Sequence, residues 1–365
     1  MTSPTPTPTP PTGLQLGFLS FSSYLEQEAT AASSLEDGIA LFKHAEAIGL
    51  DGGWLRVRHF ERGLTGAFPY LAALARETSR LRLGTAVVPI INESPVRLAE
   101  DAATVDLLSG GRLELGVAGG IFAHFPHLAD AFATAYGHGA TIDGGPRAPW
   151  VLKRFLLGIS GAELAPTPED FTLQFTVPGE GLRIYPHSPR LRERIWHGSG
   201  GIDSAVRAAK LGLNLQLSTI NTTESPLGVP GHQAEILAAY RDAIDLDPIG
   251  LADPRLREVS ISRYVVPWSN AREKEVFLTS SEKHIPGVTE RFGQGWKAGT
   301  VEEVTEQLLT DAALVAAQAD FPTTLLLNLP SQLGLEWTQH LVELIATEIA
   351  PALGWTPATA EGLAA

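Results

Sequence analysis

The strongest constraint on this chain is a rhythm: short apolar runs alternate with longer amphipathic stretches from Leu14 almost to the C-terminus. Residues 14–21 read as a strand, and so do residues 53–57, 82–88, 112–117, 194–197, 213–218, 258–266 and 323–329. Helical patterns fill the intervals. Ser34, with Asp37 three residues on, is expected to cap the first, whose apolar positions run Leu35, Ile39, Leu41, Phe42, Ala45, Ile48 before Gly49 closes it. Ser94 and Pro95 open a later helix, and Gly110 and Gly111 stop it. Thr300 and Glu303 form a capping box for a helix running to about residue 319. Eight strand–helix steps with short joins imply parallel pairing through right-handed crossovers, and so an α/β fold of the (β/α)8 TIM barrel type. The competing arrangement is an open doubly wound sheet, but no Gly-x-Gly-x-x-Gly follows the first strand.

The rhythm lapses between Gly119 and Arg192, where a helical pattern at 150–159 and extended pieces at 171–177 and 182–184 lie among many Gly and Pro. This stretch reads as an insertion of about residues 120–192 after strand four, within one barrel domain spanning 14–355. Residues 1–13, mostly alternating Thr and Pro, read as a disordered tail, and 356–365 as a C-terminal tail. The start has neither the basic end nor the apolar run of a signal peptide, and no apolar stretch approaches the roughly 20 residues a bilayer crossing needs. Cysteine is absent and Met1 is the sole methionine, which excludes disulfides, thiolate metal sites and a cysteine nucleophile. A net charge of −14, without a Lys/Arg run, argues against nucleic acid and anionic membrane as partners. A cytoplasmic enzyme acting on a small molecule is the expectation.

In a barrel, functional side chains stand at the carboxyl ends of strands. Those positions hold Phe21 and Ser22; Arg58 and His59; Asn92 and Glu93; Gly119, Gly120, Phe122 and His124; His197 and Ser199; Thr219 and Asn221; and Asn328. Three histidines at one mouth raise a metal site, but Glu93 is the one acidic companion and no His-x-His or His-Glu-x-x-His occurs, so no metal ligand is assigned. The run Trp196-His197-Gly198-Ser199-Gly200-Gly201-Ile202-Asp203-Ser204 has two readings. Its glycines and hydroxyls before a helix suit a phosphate monoester; equally, it is an ordinary strand-to-helix turn with Asp203 as N-cap. A carboxylate at Asp203 repels an anion unless it turns outward.

The run Trp54-Leu55-Arg56-Val57-Arg58-His59-Phe60, then Gly63-Leu64-Thr65-Gly66 and Pro69-Tyr70, resembles the bacterial luciferase-like flavin monooxygenase family. So do Leu83-Gly84-Thr85-Ala86-Val87-Val88-Pro89, Ser94-Pro95-Val96-Arg97-Leu98-Ala99-Glu100-Asp101, and Leu107-Leu108-Ser109-Gly110-Gly111-Arg112-Leu113-Glu114-Leu115-Gly116-Val117. The resemblance implies an FMN-dependent two-component monooxygenase. Reduced FMN would come from a separate flavin reductase, react with O2 and oxygenate a small organic substrate through a peroxyflavin. A homodimer is expected. By the same resemblance, Ala86 and Val87 pass beneath the flavin ring, in the family often through a non-proline cis peptide. Gly198, Ser199, Gly200, Gly201 and Ser204 match the phosphate loop, Arg58 or His59 would stabilise the oxygenated flavin, His124 or His197 would handle substrate protons, and Asn92, Phe122, His124 and Asn221 would face the substrate. Departures are equally specific. Arg58 replaces the first of two consecutive histidines, which disfavours light emission from an aldehyde; an arginine stays protonated and cannot act as a base. Ala118 replaces a reactive cysteine and Gly119 a phosphate-binding arginine, so the positive charge must come from Arg147, Arg183 or Arg192. Two alternatives stand beside this reading: hydride transfer with the deazaflavin coenzyme, whose anionic tail the charge of −14 disfavours, and flavin binding without turnover.

Overall fold

The apolar runs form strands whose side chains are mostly buried on both faces, completely so in β1 (Leu14–Ser20) and β11 (Thr323–Asn328). The computed structural model describes residues 13–24, 30–120, 126–170, 175, 177, 179–219, 225–244, 257–284, 290, 295–330 and 333–358. Between β1 and β11 come β2 (Gly52–Leu55), β3 (Arg82–Pro89), β4 (Leu113–Ala118), β5 (Thr141–Ile142), β6 (Gly145–Pro146), β7 (Ile195–Gly198), β8 (Asn214–Leu217), β9 (Val259–Trp268) and β10 (Trp296–Thr300). Hydrogen bonds join eight of them into a closed parallel (β/α)8 barrel in the order β9-β11-β1-β2-β3-β4-β7-β8, with β8 pairing back on β9. The helices are α1 (Ala31–Ala47), α2 (Ala67–Glu77), α3 (Pro95–Leu108), α4 (Ala129–Tyr136), α5 (Arg147–Ile159), α6 (Ile202–Lys210), α7 (Gly228–Ile244), α8 (Ala271–His284), α9 (Val301–Leu309), α10 (Ala312–Asp320) and α11 (Leu335–Leu344).

Several local expectations need correction. The first helix begins three residues earlier than Ser34. Thr30 is its cap: Ser33 N donates to Thr30 Oγ1 and Thr30 N to Ser33 Oγ, each at 3.0 Å. Ser34 is buried and donates to Ser23 O. Ser94 holds the N-cap position of α3 without a side-chain cap bond. The Thr300–Glu303 capping box is present, but the helix it opens ends at Leu309, and Asp311 caps a new one by accepting from the N–H groups of Ala313 and Leu314. Strand β10 was not read at all, because Lys297 and Gly299 interrupt its apolar pattern; it pairs in parallel with the outer half of β9. The Thr/Pro segment 1–12, residues 359–365 and most of the extended piece 171–177 lie outside the described residues.

The chain divides into two compact units, Leu19–Glu46 with Gly52–Gly198, and Met1–Phe18 with Ala47–Asp51 and Ser199–Ala365. In the first, three polar hubs set the frame, of which Glu114 and Asp106 are buried. Glu114 on β4 accepts from Arg82 Nε (2.8 Å) and from the indole of Trp196 (2.6 Å). Arg112 spends its guanidinium on four carbonyls, those of Ala75, Thr78, Leu81 and Ser109. Asp106 on α3 takes Arg194 Nη2 on both oxygens (2.9 and 2.7 Å) and Ser188 Oγ (2.5 Å), which ties the end of the insertion to the helix before β4. The glycines that stop α3, Gly110 and Gly111, have φ of 70° and 86°, which a side chain rarely adopts.

In the second unit the frame is Arg263 on β9, whose Nε and Nη2 donate to Asp311 at 2.9 and 2.8 Å and whose Nη1 donates to Gln233 Oε1. Lys297 Nζ reaches the same carboxylate at 2.8 Å. Burial would raise the Asp311 pKa, but Arg263 and Lys297 hold it down at about 2. Asp51 accepts from Leu16 N and from the indole of Trp355, and Ala358 N donates to Gly49 O. Among the described residues no helix is long and apolar enough to cross a membrane.

Candidate functional site

The end of β3 departs from a regular strand. Its register against β4 shifts between Thr85 and Val88, and Thr85 Oγ1 fills the gap by donating to Gly116 O (2.8 Å) and accepting from Gly116 N (3.0 Å). The two residues so displaced, Ala86 and Val87, are half-buried and joined by a cis peptide bond. Gly198, the last residue of β7, packs against them. A Cβ there would stand 2.9 Å from Val87 Cγ1 and 3.4 Å from Ala118 Cβ, so this position has no room for a side chain. Val87, Ala118 and Gly198 are thus brought together, and Gly119 follows Ala118 directly at the end of β4.

Past β2 the chain turns at Phe60, which has φ of 66°. His59 is half-buried, and burial lowers its pKa below the ordinary histidine value, so the ring is neutral at neutral pH. Its Nε2 is buried without a hydrogen-bond partner among the described residues. The His59 ring meets Tyr136 edge-on at 5.6 Å, and Phe60 lies against Phe132 (6.0 Å) and Tyr136 (5.3 Å). Phe132 and Tyr136, one helical turn apart on α4, therefore form an aromatic wall that the sequence reading missed. The one signal available was their i, i+4 spacing within the insertion. Arg58 is salt-bridged to Glu61 at 3.1 Å. Arg56 reaches the other oxygen of the same carboxylate at 3.5 Å, so Glu61 serves two guanidinium groups.

Asn92 ends the single 3-10 turn after β3, and both its side-chain polar atoms are buried without a partner among the described residues. Arg147, at the start of α5, clamps that turn by donating to Ile91 O (2.8 Å) and Glu93 O (3.1 Å). Burial and then the charge of Asp101 raise the pKa of Glu93, and burial together with Glu93 raises that of Tyr136. This face therefore carries three titratable groups: an imidazole, a phenol and a carboxyl shifted toward its acid form. His197 lies on β7, paired in register with Val117.

On the other unit, Ser199 is buried and its N–H donates to Gln216 O. Gly201 is the N-cap of α6 and offers no side chain to it; Ser204 Oγ donates to Gly201 O (2.7 Å). Asp203 is therefore not the cap, and it is exposed. Gly200 sits between Ser199 and the cap. Phe122, His124 and Asn221 lie outside the described residues. Arg183 is engaged by Gly161 O, Glu163 and Glu180.

Comparison with known proteins gives a consistent result. The chain is 39% identical over 87 residues to the alkanal monooxygenase alpha chain of the Kryptophanaron alfredi symbiont, covering 23% of this chain and 24% of that one. It is 31% identical over 101 residues, 27% of this chain and 28% of the other, to the oxygenase component of a flavin-dependent trigonelline monooxygenase of Acinetobacter baylyi. The matched stretch thus spans about a quarter of the length of these relatives. Among solved structures, a monooxygenase from Streptomyces bottropensis aligns with a TM-score of 0.70 at 21% identity over 92% of this chain and 99% of that one. The oxygenating constituent of 3,6-diketocamphane monooxygenase from Pseudomonas putida, solved with FMN, aligns at 0.66 and 15% identity over 92% and 98%. A coenzyme F420-dependent tetrahydromethanopterin reductase from Methanopyrus kandleri aligns at 0.63 and 14% identity over 93% and 99%. These three share the fold. The model of the luciferase-like monooxygenase family matches residues 16–225, more than half of the chain, and the chain belongs to that family.

Proposed function

We propose that this chain is the oxygenase of a two-component FMN-dependent system, taking reduced FMN from a separate flavin reductase and using O2 to oxygenate a small organic substrate. The observation that carries this reading is the ledge at the end of β3: half-buried, apolar Ala86 and Val87 with Gly198 held too close for a side chain. A flat aromatic ring fits such a surface. The segment that follows Gly198 in the chain suits the group in kind. Ser199, Gly200 and Gly201 lead into the uncapped N-terminus of α6, whose N–H groups favour an anion, although the Ser204 hydroxyl has to turn away from Gly201 O to reach one. Bound reduced flavin supplies the electrons that activate oxygen.

The protein's own part is to position and to exclude water. Neutral His59 offers a buried Nε2, without a partner among the described residues, that accepts or returns a proton, and Tyr136 covers the ring edge-on. Arg58, which shares the Glu61 carboxylate with Arg56, supplies positive charge and no base. Asn92, with neither amide atom paired among the described residues, is the group on this face most in need of a polar partner and is assigned to the substrate. The trigonelline relative, an oxygenase component, supports the reading of a separate reductase.

Stopped-flow absorbance tests the reading. Reduced FMN mixed with oxygen should return to the oxidised spectrum more slowly with the protein than without it. Return at the free-flavin rate, together with tighter binding of the deazaflavin coenzyme than of FMN, would sink it.

A further inference from the structure

In the unit that holds Ser199–Ala365, a cavity of about 420 Å3 lies between the start of α7 and the junction of α9 with α10. Leu227, Val229, Pro230 and Ala312 give it apolar walls, and the two charged residues that line it, Lys297 and Asp311, are 4% and 2% exposed. Their charges do not balance. Arg263 occupies both oxygens of Asp311, and the N–H groups of Ala313 and Leu314 add to Oδ1. Lys297 has that same carboxylate as its single partner among the described residues, through one Nζ contact of 2.8 Å, although an ammonium carries three donors. Two buried cations therefore share one anion. A buried charge with unmet hydrogen bonds is costly, and a second acceptor relieves it. The cavity also meets the N-terminal turn of α7, a helix of 17 residues whose dipole favours negative charge.

We propose that this cavity binds a small organic monocarboxylate, its carboxylate on Lys297 and the first turn of α7, its apolar body along Leu227, Val229, Pro230 and Ala312. A single negative charge restores neutrality. Asp311 does not oppose it strongly, because both its oxygens already face Arg263 and Lys297. The site is separate from the residues assigned to flavin, and the proposal stands or falls without that assignment.

Isothermal titration of the full chain, with FMN at saturation, tests it with three probes: benzoate, its neutral isostere benzamide, and inorganic phosphate. The expected result is saturable benzoate binding at one site, at least tenfold weaker benzamide binding, and phosphate weaker than benzoate. Lys297→Gln should weaken benzoate at least tenfold. Thr310→Glu places a carboxylate on the exposed rim and leaves the Arg263–Asp311–Lys297 contacts intact; it should weaken benzoate about fivefold, and it keeps the test valid if Lys297→Gln fails to fold. Equal binding of benzoate and benzamide, tighter binding of phosphate, competition with FMN, unchanged affinity in Thr310→Glu, or no benzoate binding would each overturn the proposal.

Discussion

Gly198→Ala is the sharpest probe of the ledge at the end of β3. The added methyl would stand 2.9 Å from Val87 Cγ1, a distance real Cβ atoms do not tolerate, and 3.4 Å from Ala118 Cβ, which is ordinary contact. The conflict is therefore with Val87 alone. Val87 is β-branched, so its χ1 has few alternatives, and its methyl cannot swing aside as the end of a lysine would. Overpacking of this kind costs about 1–3 kcal/mol. Val87→Ala removes two half-buried methyls, about 1 kcal/mol by itself. In the double variant the added methyl finds the space that Val87 leaves, so the double should cost less than the two singles summed, by at least about 1 kcal/mol. Urea unfolding of the four proteins gives the stabilities, and fluorescence titration with FMN gives the ledge's role as a ring platform. The Gly198→Ala variant should bind FMN at least tenfold more weakly, and Val87→Ala added to it should recover part of that loss. Additive stabilities within about 0.5 kcal/mol, or a Gly198→Ala variant as stable as the parent, would show that the two side chains do not meet and would remove the physical basis of the platform.

Three further outcomes follow from the same contacts. His59→Ala should lower turnover about a hundredfold; and because burial depresses the His59 pKa, the acid limb of the parent's rate profile should lie below pH 6.5, so a limb at or above that value contradicts a role for this imidazole. Asp311→Ala leaves Arg263 and Lys297 buried without their anion and should cost about 3–5 kcal/mol in urea unfolding. The folded-state pKa of Asp311 is about 2 against an unfolded value of 3.8, so the carboxylate contributes about 2 kcal/mol that is complete well above pH 3.8 and lost as pH falls toward 2; unfolding measured from pH 6 to pH 2 should show that loss in the parent and a shallower slope in Asp311→Asn. Asp106→Ala frees Arg194 and Ser188, and trypsin should then cut at Arg190 or Arg192 faster than in the parent, with unchanged cleavage elsewhere.

The barrel was legible in the sequence because its strands are short runs rich in apolar residues and its helices are punctuated, as at Pro95 and Gly110. What escaped was decided by contacts between distant residues. Trp296–Thr300 does not read as a strand while Lys297 counts as a surface residue; it becomes one because Asp311, fourteen positions on, and Arg263, on the neighbouring strand, hold that ammonium inside. The same carboxylate ends one helix and starts another where the apolar pattern alone runs on to residue 319. Thr30 escaped for a local reason. The reciprocal cap there uses a serine hydroxyl in place of the Glu that the usual pattern demands, so the eye moves on to Ser34. At the site, Ala86, Val87 and Gly198 were legible through family resemblance. Tyr136 was not, since nothing in the insertion says that α4 folds its aromatic residues onto His59 and Phe60.

The phosphate end of the proposed flavin site follows a different logic from the ring end. The arginine expected from the resemblance is Gly119, and two of the cationic substitutes the sequence offered are already spent: Arg147 on the carbonyls of Ile91 and Glu93, Arg183 on Gly161 O with Glu163 and Glu180. Arg192 also has a partner within the fold. What the segment after β7 contributes is the start of α6 and two serine hydroxyls, one already donating to Gly201 O. A helix terminus is worth about 0.3–1 kcal/mol to an anion, whereas each hydrogen bond from a charged group is worth about 1.5–3 kcal/mol. Asp203, in the first turn, subtracts from even that, though its exposure lets water screen it. Under the proposed function, most of the hold on the cofactor must then come from the ring on Ala86 and Val87, with the phosphate adding little. A flavin held mainly by its ring exchanges readily, and ready exchange is what an oxygenase needs if each turnover begins with a reduced cofactor delivered by another protein.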